Sequence, residues 1–167
     1  IGSLINPFNG NVDFNNATIT LSVESDNDYI GLFSVLGEAS KINNLNLKGS
    51  VQGKNYIGSV AGLNKGQILN VTSLVLVNGV DYVGGIVGLN KNEVIDARFK
   101  GNIYTTGLYT GGIIGYSDET SVVSYVYNLG TIKSTKDYTA GLVGYLGLNA
   151  ELKESFNDGL VESEAKY

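Results

Sequence analysis

One phrase returns five times along this chain: a tyrosine, one residue, a small residue, then an apolar pair, usually closed by a glycine. Tyr29-Ile30-Gly31-Leu32-Phe33-Ser34 opens the series. Tyr56-Ile57-Gly58-Ser59-Val60-Ala61-Gly62 and Tyr82-Val83-Gly84-Gly85-Ile86-Val87-Gly88 follow. Tyr109-Thr110-Gly111-Gly112-Ile113-Ile114-Gly115 and Tyr138-Thr139-Ala140-Gly141-Leu142-Val143-Gly144 complete it. Subtracting each tyrosine number from the next gives 27, 26, 27 and 29. A period of this length with strand-like content belongs to repeat architectures, in which each unit buries its apolar face only against its neighbours. An evenly repeated surface also points to a scaffold or an extended binding face rather than to one catalytic pocket.

Each phrase continues into a polar turn: Asn64-Lys65-Gly66, Asn90-Lys91-Asn92 or Ser117-Asp118-Glu119. Such residues tolerate left-handed dihedrals and bond locally to the backbone. A second strand then begins with an apolar residue and a polar one two positions on, read as Ile42/Asn44, Ile68/Asn70, Val94/Asp96, Val122/Ser124 and Leu152/Glu154. A third short strand follows, usually after a glycine, as in Gly101-Asn102-Ile103; the second repeat carries Val75-Leu76-Val77 there. No segment shows a 3.6-residue period, so helix is at most a minor component. Turn residues at fixed offsets predict an all-β, right-handed parallel β-helix, with about three short strands per coil of about 27 residues and about six coils. A β-propeller wants about 40 residues per blade and is the weaker reading. The whole chain, 1–167, reads as one domain, with 1–28 as an atypical first coil or cap and 29–167 as five repeats. The absence of an initiator Met, and a Glu162-to-Tyr167 end with no evident cap, lead us to expect a fragment of a larger protein.

Composition narrows the function. The formal charge is −5 and Arg98 is the one arginine, which disfavours a nucleic-acid groove. Without His or Cys, no Ser-His pair, thiol nucleophile or His-based zinc site can be assembled. No apolar run approaches the roughly 18 residues of a membrane span, so membrane insertion is not expected. Carboxylate chemistry of the kind found in polysaccharide-cleaving enzymes needs clustered acids, and here they are spread along the repeat. The expectation is a non-enzyme without cofactor or metal.

The run Gly141-Leu142-Val143-Gly144, with Gly85-Ile86-Val87-Gly88 and Gly112-Ile113-Ile114-Gly115, resembles the GLUG motif of bacterial surface proteins. The polar turn and strand from Asn64 to Asn70 and the opening Asn6-Pro7-Phe8-Asn9-Gly10-Asn11-Val12-Asp13 fit it as well, so the resemblance covers nearly the whole chain. Ser59-Val60-Ala61-Gly62 and Phe33-Ser34-Val35 depart from it. The resemblance implies a secreted or wall-anchored bacterial protein, either adhesin-like or the non-catalytic portion of an immunoglobulin A peptidase.

Four sets of residues invite a functional reading. The five tyrosines should form an aromatic column, able either to stack on sugars or a partner or simply to fix the coil register. Asp28, Asn55, Asp81 and Asp137, with Leu108 breaking the row, invite a calcium site, but turn side chains bonding their own backbone explain them without metal. The column Asn44, Asn70, Asp96, Ser124, Glu154 reads as a tolerant, partly wet bend. The glycine-rich strand is small or apolar on both sides, which nominates a face for a ligand or partner: Val87, Ile114 and Val143 with Tyr82, Tyr109 and Tyr138. Gly58, Gly84, Gly88, Gly111, Gly115 and Gly144 are read as structural members of the repeat, together with Asn44, Asn70 and Asp96.

The sequence is therefore read as a structural and adhesive repeat module at a cell surface or secreted. A host protein, a glycan or neighbouring domains of a parent chain are the partner classes. The rivals are a non-catalytic β-helical portion of a surface metallopeptidase and a carbohydrate-active β-helix.

Overall fold

The computed structural model describes residues 1–164; the last residues of the expected uncapped end lie outside them. The described chain is all-β, and every strand pairing is parallel. It winds as a parallel β-helix: an incomplete first coil followed by five turns. The first coil holds β1 (Asn11–Asp13) and β2 (Thr18–Glu24), the second β3 (Phe33–Leu36) and β4 (Lys41–Gln52), the third β5 (Ala61–Asn64) and β6 (Gln67–Gly79). The fourth carries β7 (Val83–Gly84), β8 (Val87–Asn90), β9 (Glu93–Phe99) and β10 (Asn102–Thr105). The fifth has β11 (Thr110–Gly111), β12 (Ile114–Ser117), β13 (Val122–Ser124), β14 (Tyr127–Asn128) and β15 (Thr131–Ser134). The sixth repeats that order as β16 (Thr139–Ala140), β17 (Val143–Leu146), β18 (Glu151–Lys153), β19 (Phe156–Asn157) and β20 (Leu160–Ser163).

Three sheets run along the axis. A 12-stranded sheet collects the second and third segments of every coil, a 5-stranded sheet stacks β3, β5, β8, β12 and β17, and a 3-stranded sheet stacks β7, β11 and β16. The glycine-rich phrase is thus two strands, not one: the chain bends between β7 and β8, and the halves enter different sheets. Conversely, the second and third strands fuse into the single long β4 and β6.

Register is set by apolar columns. Val12, Ile42, Ile68, Val94, Val123 and Leu152 align, as do Val23, Val51, Val77, Ile103, Ile132 and Val161. The β-branched members suit a pleated, buried surface, and a slip of one residue would turn each column toward solvent. The register corrects one assignment. Val123, not Val122, continues the Ile42 column, so Tyr125, not Ser124, takes the place of Asp96 and Glu154. The cause is a longer turn: two residues separate Asn90 from Glu93, and four separate Ser117 from Val122.

The first coil is completed by the amino terminus. The Ile1 carbonyl accepts the Ser34 N–H at 2.7 Å, and the Phe8 N–H donates to the Val35 carbonyl at 3.0 Å. Residues 1 and 8 therefore both lie beside β3, with the segment between them looping out.

Candidate functional site

The five repeated tyrosines stack in one column beside the 3-stranded sheet. Consecutive ring centroids from Tyr29 to Tyr138 are 4.5, 4.5, 5.0 and 4.9 Å apart, with interplanar angles of 21° or less. A second, shorter column, Tyr116 on Tyr145 at 4.6 Å, abuts it edge to face. This spacing is close to the roughly 4.8 Å separation of neighbouring strands, so the rings spend their faces on each other. Sugars and other flat ligands stack on ring faces. Between Tyr56 and Tyr109 both faces are covered, and only edges and hydroxyls reach solvent. Tyr138, 53% exposed, keeps one face uncovered.

All five tyrosines have left-handed backbones, with φ between 58° and 63°. That conformation costs an L-residue about 1–2 kcal/mol, and it is normally left to Gly or Asn. Here it makes the sharp corner that swings the chain into β7, β11 or β16. Stacking and burial of the rings offset the cost.

The glycines on either side of this corner answer a different demand. Gly58, Gly84 and Gly111 lie in one column, Gly88, Gly115 and Gly144 in another, and none of the six has positive φ. A Cβ on Gly84 would run into the Val87 carbonyl oxygen, and one on Gly111 into that of Ile114, one strand later in the same coil. A Cβ on Gly115 would sit 2.5 Å from the carbonyl carbon of Tyr82, one coil back. The two halves of each phrase therefore pack backbone on backbone, and glycine is required for space.

This packing takes Val87 and Ile114 out of the face expected from the sequence. Val87 and Ile114 are fully buried members of the central core, as are Ile86 and Ile113. The bend between the two half-strands directs both apolar neighbours inward, so smallness on both sides of the phrase marks internal packing. Val143, half-buried, packs against the same core in the last coil.

Polar ladders seal the corners. The Asp28 carboxylate accepts the Asn55 N–H at 3.2 Å, the Asn55 side chain accepts the Asp81 N–H at 3.3 Å, and Asp81 accepts the Leu108 N–H at 2.6 Å. Each of these side chains thus bonds the backbone of the next coil, not its own turn, through one oxygen. Among the described residues, no group of three or more acidic side chains comes together as a metal site. Asn70 donates to Asn44 at 2.6 Å and Asn44 to Asp13 at 2.9 Å, while Asp96 pairs with Arg98 at 2.7 Å. Asn44, Asn70, Asp96, Tyr125 and Glu154 all have positive φ, a second left-handed column.

Sequence reasoning missed a buried ladder between the 5-stranded and 12-stranded sheets. Asn64 donates to the Asn90 side chain at 2.8 Å and to the Glu93 carbonyl at 3.2 Å; Asn90 donates to the Asn92 carbonyl at 2.9 Å and to Ser117 Oγ at 3.3 Å. All three are fully buried. Asn128 and Asn157 form a similar pair at 2.6 Å. The signal was present, since Asn64 and Asn90 are 26 residues apart at the same point of the repeat.

Comparison with known proteins adds one likeness. Over 69 residues the chain is 44% identical to halomucin of Haloquadratum walsbyi, a stretch covering 40% of this chain and 1% of halomucin. No family model and no solved structure matches the chain.

Proposed function

We propose that this chain is a structural and adhesive repeat module of a secreted or cell-surface protein, with no catalytic role of its own. The observation that carries this reading is the continuity of its ladders. Hydrophobic columns, the tyrosine stack and side-chain amide bonds each run from coil to coil, and no buried side-chain nitrogen or oxygen lacks a partner among the described residues. Such a body is stiff along its axis, and stability comes from coil–coil interfaces rather than from a single core. It suits a part that projects or spaces a binding surface. The similarity to halomucin supports a place outside the cell or at its surface, and the GLUG-like phrases support the same setting.

Beads coated with the chain test the adhesive role. Retention on cells or on a surface polymer above that of uncoated beads is expected. Beads that stay free on every surface tried, while the coated protein remains folded, would remove adhesion and leave a spacer.

A further inference from the structure

One concavity of the molecule has no place in the ladders described above. It is a groove of about 530 Å³ on the outer side of the 12-stranded sheet, where β4, β6, β10, β15 and β20 end. Its floor is one column of aligned, outward-facing residues: Gln52, Asn78, Tyr104, Lys133 and Glu162. Turn residues such as Thr106 and Thr135 form a wall. The size falls in the range of small-molecule sites, roughly 300–1,000 Å³.

Tyr104 differs from the tyrosines of the stack. Its column neighbours are Asn78 and Lys133, no other ring packs against it among the described residues, and it is 45% exposed. Alternation in β10 fixes its direction: Ile103 and Thr105 are buried, Asn102 and Tyr104 face out. Unlike most of the stacked rings, it has no aromatic neighbour among the described residues, and nearly half of its surface reaches solvent. The side-chain amides of Gln52 and Asn78 make no hydrogen bond within the described structure and remain available as donors and acceptors. Lys133 is paired with Glu162 at 2.9 Å, so among the described residues the groove lining offers no unpaired cation to a polyanion.

We propose that this groove binds a neutral oligosaccharide, laid along the coil axis across the strand ends, with one pyranose ring on Tyr104. An aromatic face receives the C–H side of a sugar ring, and flanking amides and the ion pair serve its hydroxyls. Neighbouring strands lie about 4.8 Å apart, comparable to the length of one sugar unit, so successive residues would meet successive coils. An extended peptide fits less well, because it would seek a sheet edge, and this groove lies on a sheet face. The inference deepens the adhesive reading and rests on it for its biological setting.

The test is titration of the whole chain with neutral hexasaccharides of glucose, xylose and mannose, and with hexagalacturonate as the charged comparator. At least one neutral probe should bind. Tyr104→Ala should weaken it at least about tenfold, Tyr104→Phe should retain it, and Tyr82→Phe should leave it unchanged. Because Tyr104 is exposed, the variants should fold, which circular dichroism checks. Absence of binding by any neutral probe, binding of the uronate alone, or equal binding by Tyr104→Ala would overturn the proposal. Beads that adhere without neutral-sugar binding would overturn the groove and spare the adhesive reading. Sugar binding in solution without bead adhesion would do the reverse.

Discussion

Gly115 presses its Cα against the backbone of Tyr82 one coil earlier, so closely that an added Cβ would lie 2.5 Å from the Tyr82 carbonyl carbon and 2.6 Å from the Val83 nitrogen. The obstacles are main-chain atoms, which cannot rotate away. At Gly53, by contrast, an added methyl would meet side-chain atoms, the Cδ1 end of Ile57 and the Cγ1 and Cβ of Ile30. Gly115→Ala should cost about 3 kcal/mol, the upper end of overpacking penalties, and lower the melting temperature by about 6–12 °C. Gly53→Ala should cost distinctly less. Equal losses in thermal melts would show that backbone contact is not the reason for the glycine columns.

The left-handed backbone of the tyrosine column reverses a familiar order of substitutions. Glycine usually destabilises a strand relative to alanine by about 0.5–1 kcal/mol. At Tyr82, φ is 58°, so alanine loses the ring and keeps the strain, while glycine loses the ring and relieves it. Urea unfolding should rank Tyr82→Gly above Tyr82→Ala by about 1 kcal/mol. The usual order, alanine above glycine, would mean that the corner imposes no strain.

The same column predicts alkaline behaviour. Phenols of Tyr29, Tyr56 and Tyr82 are raised above their ordinary value, first by burial and then by neighbouring tyrosines or carboxylates such as Asp28 and Asp81. The fold thus favours the neutral phenol. Its contribution is whole below the unfolded tyrosine value, near 10, and is lost as pH rises through the higher folded values. Near-ultraviolet absorbance should show part of the eleven tyrosines ionising later than free tyrosine. Stability in urea should hold from neutral pH to about 9 and fall above 10, less steeply in Tyr82→Phe. A single phenol transition at the free-tyrosine value would contradict this.

Asn64 and Asn90 should behave as a unit. Removing either amide strands buried groups of the other and of the Glu93 or Asn92 carbonyl, a loss of about 1–3 kcal/mol for each group left unpaired. Removing both avoids part of that loss. The double variant Asn64→Ala/Asn90→Ala should therefore cost less than the sum of the singles, with coupling of about 0.5–3 kcal/mol. Strict additivity would indicate that the two side chains do not cooperate.

Period, strand type and parallel coiling were legible because they follow from spacing alone: apolar residues at Ile42, Ile68 and Val94 repeat at the interval of the tyrosines and stack in register. The tyrosines' left-handed geometry was not, because propensity assigns such corners to glycine, and here glycine stands two residues later for lack of space. Val87 and Ile114 were misplaced for a related reason. Strict alternation would send Ile86 and Val87 to opposite faces, but the chain bends between β7 and β8 and turns both inward. The Ser124 error came from pattern matching across a turn that had grown by two residues. The lack of an aromatic neighbour at Tyr104 depends on what stands beside it in its column, Asn78 and Lys133, a property of register that no local motif carries.

The ends of the coil stack separate hydrogen-bond length from packing as sources of protection. The Glu151 N–H donates to the Ser121 carbonyl at 2.9 Å, while the equivalent Glu93 N–H donates to Gly66 at 3.3 Å. Bond length alone would make the Glu151 amide the slower to exchange. Packing says otherwise. Val94, beside Glu93, is fully buried between coils, whereas Leu152, its counterpart beside Glu151, is 37% exposed, and β18 pairs on one side only. In a linear array each coil is held by its nearest neighbours, and exchange follows local opening. Hydrogen exchange should therefore run fastest in β18–β20 and slowest in β6 and β9, with the Glu151 amide well ahead of that of Glu93. In keeping with this, Val94→Ala should cost about 2 kcal/mol or more and Leu152→Ala under about 1 kcal/mol. Slower exchange at Glu151 than at Glu93 would show that bond length outweighs coil–coil packing in this fold.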